Sequence, residues 1–327
     1  MTQNLEISSF PPLKTEKPRM PLGGKSFASE AKVIGQGWDF EYDTIREEVS
    51  FLEDKDTGLL YLDRIPADSE MGRIYPSNYY AFSDDASQPY LIRIVRNYLE
   101  GKKIAAYQKL VGSENANILD IGCGDGRLLS IIMNHSPKGW NLFGIEIGED
   151  GVTKAKKKGF EVVCGNIETT DVPEWNGKFD LILMHQLIEH TRNPAALLEK
   201  ASAWLKSGGV LSVETPESNG WDYDLFKRRY WGGYHFPRHF FIFNRNILTQ
   251  MAKEQGMKIK SIKSILSPVF WVHTLHNYCA DHARLRKLCP YLKPTNVILL
   301  SIATALEIFQ LAITKKSSNL QILMQKE

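Results

Sequence analysis

Three short stretches of this 327-residue chain concentrate the residue types that do chemistry. The first is Asp120-Ile121-Gly122-Cys123-Gly124-Asp125-Gly126. Alternating glycines let a backbone turn tightly and approach a ligand with no Cβ in the way, and Arg127-Leu128-Leu129 then opens a helix with its positive end at the loop. A dinucleotide fingerprint, G-x-G-x-x-G, needs glycine where this chain has Arg127. The acid beside the loop, Asp120, suits a cationic ligand better than a diphosphate, so a sulfonium donor is favoured over NAD. The second stretch is Met184-His185-Gln186-Leu187-Ile188-Glu189-His190, where Gln186, Glu189 and His190 stand at i, i+3 and i+4 and would share one helical turn. With an amide where a second acid would serve, we assign no metal here and read Glu189 and His190 as ordering the loop. The third is Tyr230-Trp231-Gly232-Gly233-Tyr234-His235-Phe236-Pro237-Arg238-His239-Phe240. Imidazole titrates near neutral pH, so His235 or His239 can take a proton from a hydroxyl, and either can equally be a structural hydrogen-bond partner. Trp231, Tyr234 and Arg238 are candidate acceptor contacts; Arg238 would hold a phosphate or carboxylate, or brace the loop through an acidic neighbour.

Something must hold these stretches together. Apolar runs at 118–121, 142–147, 161–164, 179–184 and 210–214 alternate with helical segments such as 194–205, which predicts a parallel sheet covered on both faces. Ligands bind such sheets at the carboxyl ends of the strands, where the first two stretches fall. Two later strands are expected at 257–265 and 318–325, and Leu91, Ile94, Val95, Tyr98 and Leu99 mark a helix entering the domain. Residues 1–36, rich in Pro, Gly and Lys, read as a flexible tail, and 37–88, with the aromatic string 75–82, as a lead-in or substrate cap. The core is placed at 89–265 and 318–327, with a helical insertion at 266–317.

Composition narrows the class. Forty Lys plus Arg against 38 Asp plus Glu leave +2, no field that suggests nucleic acid. The balance is uneven: residues 258–327 hold ten basic and three acidic side chains, net +7, against −5 for the rest. Cys123, Cys164, Cys279 and Cys289 form no C-x-x-C pair, so neither a zinc ribbon nor a disulfide framework is indicated and a reducing, cytoplasmic setting fits. No apolar signal segment opens the chain.

Taken in order along residues 98–263, these motifs resemble the class I S-adenosylmethionine-dependent methyltransferases, and the Glu-His segment is similar to that of the ubiquinone-type O-methyltransferases. The resemblance implies a Rossmann-like α/β fold: a seven-stranded, mostly parallel sheet with helices on both faces and an antiparallel last strand. It implies S-adenosylmethionine as cofactor, with Asp120, Gly122, Gly124 and Gly126 around its amino-acid part, Glu146 on the ribose hydroxyls, and Asn166 and Ile167 at the adenine, where Asn stands for the usual Asp. His185 would lie on the sulfur side, and Leu205-Lys206-Ser207-Gly208-Gly209 matches the family's Leu-Lys-Pro-Gly-Gly turn. His190 joins His235 and His239 as a candidate catalytic residue. The expected activity is methyl transfer to a hydroxyl of a small, lipid-like or lipid-linked acceptor; the alternatives are an S-adenosylmethionine-binding regulator or partner subunit without catalysis, and an NAD-dependent oxidoreductase. Because 297–313 is a nearly unbroken apolar run between basic flanks, and a single crossing would strand the last strand across the bilayer, 266–317 is expected to lie in the membrane interface as a peripheral contact. A cap on the protein's own core, or a dimer interface, is the alternative.

Overall fold

The computed structural model describes residues 11–76, 79 and 89–327, with the side chains of 91, 92, 95 and 96 excepted. Most of the aromatic string 75–82, and the side chains of Leu91 and Val95, lie outside the described residues.

The expected tail is folded from residue 11 on. Leu13 and Leu22 are buried, β1 (Thr15–Glu16) begins the structure, and β2 (Ala31–Gly37) opens a second sheet. β3 (Val49–Asp54) and β4 (Leu60–Leu62) continue it antiparallel, and β5 (Ile65–Pro66) returns to pair with β1. The period-two alternation that would announce β2 is weak, since its first three residues are exposed. What holds it is contact: a Cβ on Gly37 would lie 2.6 Å from the Phe236 ring, and one on Gly35 2.6 Å from Tyr234, so only a strand with glycine at both places seats on the 230–240 loop.

After α1 (Met71–Ile74), α2 (Tyr90–Val111) leads into the main domain and ends on Gly112 in the left-handed conformation. Then β6 (Asn115–Ile121), α3 (Arg127–His135), β7 (Gly139–Glu146), α4 (Glu149–Lys157), β8 (Glu161–Cys164), β9 (Phe179–His185), α5 (Pro194–Trp204) and β10 (Leu205–Pro216) alternate as the sequence requires. Asn193 caps α5 by accepting from the Ala196 N–H at 3.2 Å, with Pro194 at the first helical position. After α6 (Trp221–Phe226) and the 230–240 loop, β11 (Phe241–Ile242) completes the N-terminal sheet beside β4. The small N-terminal layer and the loop are therefore one unit.

α7 (Arg245–Glu254), β12 (Met257–Ser264), α8 (Pro268–Asp281), α9 (Val297–Thr314) and β13 (Asn319–Lys326) close the chain. The main sheet runs β12-β13-β10-β9-β6-β7-β8, with β13 antiparallel to both neighbours and the other pairings among the described residues parallel. Strand alternation sends Ile118, Leu181 and Leu183 to the face under α2 and α3, and Leu119, Ile121, Ile182 and Met184 to the face under α5 and α7. Both faces are buried, which is why these strands read as continuous apolar runs.

Candidate active site

The glycine stretch leaves β6 as a hairpin with Gly122, Gly124 and Gly126 all at positive φ, a conformation that alanine adopts only with strain. Gly122 and Cys123 donate to the Ile145 carbonyl at 2.8 and 3.2 Å, which ties the hairpin to β7. Among the described residues, a Cβ on Gly124 would meet nothing within 4 Å, so a ligand can approach the backbone there. A Cβ on Gly126 would strike Phe160 at 2.9 Å; this glycine lets α3 start close against the sheet. Glu146, at the carboxyl end of β7, turns toward the hairpin: its Oε2 accepts from Gly124 N at 2.9 Å and its Oε1 from Gly148 N at 2.8 Å. Each oxygen retains a lone pair, so a diol can still be accepted. Asn166 Oδ1 accepts from Glu168 N at 2.9 Å and shapes the turn after β8, while Ile167 is buried beside it.

Asp120 is buried at the base of the hairpin. Burial, assisted by Glu146, pushes its carboxyl up to about 7 against the pull of Arg127. A bound cation would reverse that shift, which is the chemistry expected of a sulfonium or ammonium group. His185 ends β9 on the same face as Asp120. Its Nε2 lies 3.3 Å from Tyr107 Oη, 3.3 Å from Ser212 Oγ and 3.7 Å from Glu214 Oε1, and burial lowers it to about 4, so it is neutral. Next to it, Gln186 takes φ 52 and Leu187 packs on the hairpin, 3.2 Å from where a Gly122 Cβ would stand.

The structure gathers the histidines. The ring centroids of His190 and His239 are 4.6 Å apart, those of His235 and His239 5.1 Å, and those of His190 and His235 6.2 Å. His239 Nδ1 lies 2.8 Å from the Gly233 carbonyl, which only accepts; the proton is therefore on Nδ1, and Nε2 carries a lone pair 4.0 Å from Glu189 Oε1. His190 Nδ1 lies 3.1 Å from the Arg238 carbonyl and 3.1 Å from Tyr75 Oη. Glu189 is fully buried: Thr215 Oγ1 donates to its Oε2 at 2.9 Å, while Oε1 has no hydrogen-bond partner among the described residues, and burial drives the carboxyl up to about 8. One donor atom each of Glu189, His190 and His239 lie within 4.8 Å of one another, a set with the geometry to hold a divalent ion in which His239 stands where Gln186 supplies no acid. Burial, with His235 nearby, lowers His190 to about 3.

His235 stands apart in two respects. It adopts φ 41, ψ 49, a left-handed conformation that costs a non-glycine residue roughly 1–2 kcal/mol. Its Nδ1 lies 2.9 Å from Glu41 Oε2, and its Nε2 3.2 Å from Tyr79 Oη. Glu41 also stands 3.4 Å from His273 Nδ1, contributed by α8. Burial alone would raise the Glu41 carboxyl, but His235, His273 and Arg238 together hold it well below the usual range. Sequence reasoning missed Glu41, Tyr79 and His273. The acidic and aromatic run Trp38-Asp39-Phe40-Glu41-Tyr42-Asp43 was the available signal, since a cluster of buried imidazoles and an arginine requires counter-charge from elsewhere.

Three expected acceptor contacts are instead internal supports. Trp231 is fully buried with Nε1 donating to Asp222 at 2.8 Å, and Tyr234, also buried, donates to the Lys227 carbonyl at 2.6 Å. Arg238, with no exposed surface, pairs bidentately with Asp39 at 3.0 and 2.8 Å and donates to the Ile74 and Phe236 carbonyls. Tyr234 is enclosed by Gly35 and Phe51 of the N-terminal sheet, Trp231 by Tyr223 and Phe270, and Arg238 by Asp39 and Ile74. Of the two roles considered for Arg238, bracing is the one observed.

A seven-stranded sheet with only its β13 reversed, carrying a glycine hairpin after the first strand of the main domain and an acid at the end of the second, defines the class I methyltransferase architecture. Residues 95–262, just over half of the chain, match the family model described as a methyltransferase domain, and the chain belongs to that family. Among curated proteins it is similar to the ubiquinone biosynthesis O-methyltransferases of Marinobacter nauticus (34% identical over 108 residues, 31% of this chain and 44% of that protein) and Acinetobacter baylyi (26% over 114 residues, 33% and 47%). The match thus spans about half the length of these relatives. Among solved structures, coclaurine N-methyltransferase bound to N-methylheliamine and SAH aligns with 77% of each chain at 16% identity and a TM-score of 0.47.

Proposed function

We propose that the protein transfers the methyl group of S-adenosylmethionine to a hydroxyl of a small acceptor of lipid-like character. The observation that carries this reading is the buried Glu41–His235 pair, whose outer nitrogen faces a phenolic hydroxyl, that of Tyr79. When bound, S-adenosylmethionine supplies an electrophilic methyl on a positively charged sulfur. Asp120 offers that charge a buried carboxylate, Glu146 offers acceptors to a ribose diol, and Gly124 leaves the backbone approachable. His235 Nε2 would take the proton of the acceptor hydroxyl, leaving that oxygen free to receive the methyl that the cofactor would supply. Glu41 holds the Nδ1 proton and stabilises the imidazolium. Displacement of this kind is governed by alignment, and the closure of the N-terminal sheet over the 230–240 loop supplies a rigid frame. The names of the curated relatives support a hydroxyl acceptor. The exposed apolar face of α9, which packs on the helix that contributes His273, supports a lipid-like one.

The test couples S-adenosylhomocysteine release, in the presence of a cell lipid extract, to calorimetry with the cofactor. In Glu41→Gln, turnover should fall by about 10²–10³-fold while cofactor affinity changes less than threefold. Cofactor binding by the unaltered protein with no turnover on any fraction would favour the non-catalytic regulator. Turnover unchanged in both Glu41→Gln and His235→Ala would remove the pair from the mechanism.

A further inference from the structure

Helix α9 is built inside out. Its two most polar residues face the protein: Glu307 and Gln310 have no exposed surface, Glu307 accepting from the Ser267 N–H, and Gln310 accepting from Trp221 N at 3.2 Å and donating to the Lys316 carbonyl at 3.0 Å. Several of its large apolar residues face outward. Ile298, Ile302, Phe309 and Ile313 are 74%, 62%, 58% and 61% exposed, and they recur at helical spacing along one side. A helix on the surface of a protein surrounded only by water shows the reverse arrangement. Leu225 of α6, 71% exposed, extends the patch, and a shallow depression lined by Trp221, Trp271, Leu306 and the exposed Asp224 lies between them.

The surroundings indicate what covers this face. Arg284, Arg286, Lys287 and Lys293 precede α9 and Lys315 and Lys316 follow it, all exposed. Between residues 282 and 318 the one acid is Glu307, which faces inward. Among the described residues none of the six cations forms an ion pair. A second copy of the chain docking here would press two such unneutralised sets together. An anionic lipid surface satisfies both features at once, receiving the side chains of Ile302 and Phe309 and the flanking cations. The topology agrees: β12 and β13 pair side by side, Ser264 opposite Leu320, so the intervening chain leaves and returns at one sheet edge, and α9, about 27 Å long, lies along the protein rather than threading away from it.

We infer that the outer face of α9 is a membrane-docking surface that lays this helix into the interface of an anionic bilayer. The inference goes beyond methyl transfer and stands without it. It also gives the site a setting: α8, packed beneath α9, contributes His273 beside Glu41 and Thr274, whose Oγ1 accepts from Gly232 N at 2.8 Å. The docking layer and the histidine cluster therefore share a helix.

Flotation of the full chain with vesicles tests this. The protein should rise with vesicles of phosphatidylglycerol and phosphatidylcholine in equal parts, and remain behind with phosphatidylcholine alone. Lys315→Gln/Lys316→Gln should lower partitioning about fivefold for each charge removed. Ile302→Asp/Phe309→Asp should lower it more than tenfold, with cofactor affinity retained as evidence of an intact fold. Failure of the unaltered protein to float with anionic vesicles at low salt overturns the inference, as does undiminished flotation of the double aspartate variant. A dimer seen in sedimentation and abolished by Phe309→Asp, without flotation, assigns the face to a second copy and also overturns it.

Discussion

The Asp39–Arg238 pair predicts an unequal response to removing its two partners. Both residues are fully enclosed and joined by two charge-assisted hydrogen bonds, and Arg238 sits between His235 and His239, so the pair fixes the loop that presents them. Among the described residues, removing Asp39 leaves the buried guanidinium hydrogen-bonded only to the Ile74 and Phe236 carbonyls, with Glu41 as the remaining nearby anion, a loss of the kind that costs about 3–5 kcal/mol. The same carboxylate also accepts from Tyr42 N, Thr44 N and Thr44 Oγ1, and losing those three bonds adds about 1 kcal/mol or less each. Asp39→Ala should therefore cost about 3–8 kcal/mol, at its upper end comparable with the whole stability of many domains. Arg238→Met removes the cation but leaves Asp39 its three local donors, so about 2–3 kcal/mol is expected. Asp39→Leu/Arg238→Met should be less damaging than Asp39→Ala, because no charge is then stranded. Urea unfolding followed by tryptophan fluorescence measures all three. Equal costs for the two single variants, or a larger one for Arg238→Met, would refute the reasoning.

Two further outcomes are expected. Glu146→Ala should weaken S-adenosylmethionine binding in calorimetry by about 10–100-fold, the worth of two hydrogen bonds to a charged acceptor in a partly solvated site, while turnover at saturating cofactor changes little. Burial raises Glu307 to about 8, so its stabilising contribution is complete below the unfolded value near 4.5 and is lost as pH rises toward 8; Glu307→Gln should gain on the unaltered protein by about 1.4 kcal/mol per pH unit in that window, and a constant difference from pH 5 to pH 7 would contradict the shift.

The main sheet was legible because its strands are buried on both faces, and a run such as Leu142–Ile145 or Phe179–Met184 has no other stable use. The hairpin was legible for a local reason, since glycine at Gly122, Gly124 and Gly126 answers a requirement of the backbone itself. The N-terminal sheet was not. Residues 31–36 look like a tail, and become a strand only because Gly35 and Gly37 fit against Tyr234 and Phe236, about two hundred positions away.

What the sequence determined by itself were the elements whose signals are short in range: periodicity, turn glycines, caps such as Asn193 and the acid ending a strand. Only the tertiary structure decided partnership. The imidazoles of His190, His235 and His239 were visible from the start, but whether each is base, ligand or support depends on which buried atom faces it: Glu41 for His235, the Gly233 carbonyl for His239, the Arg238 carbonyl for His190. In the same way Arg238 became a brace rather than an acceptor contact when Asp39 closed over it. The reason is physical. A charge or hydrogen bond acquires its strength from the water excluded around it, and that exclusion is a property of packing between distant segments, which no local pattern records.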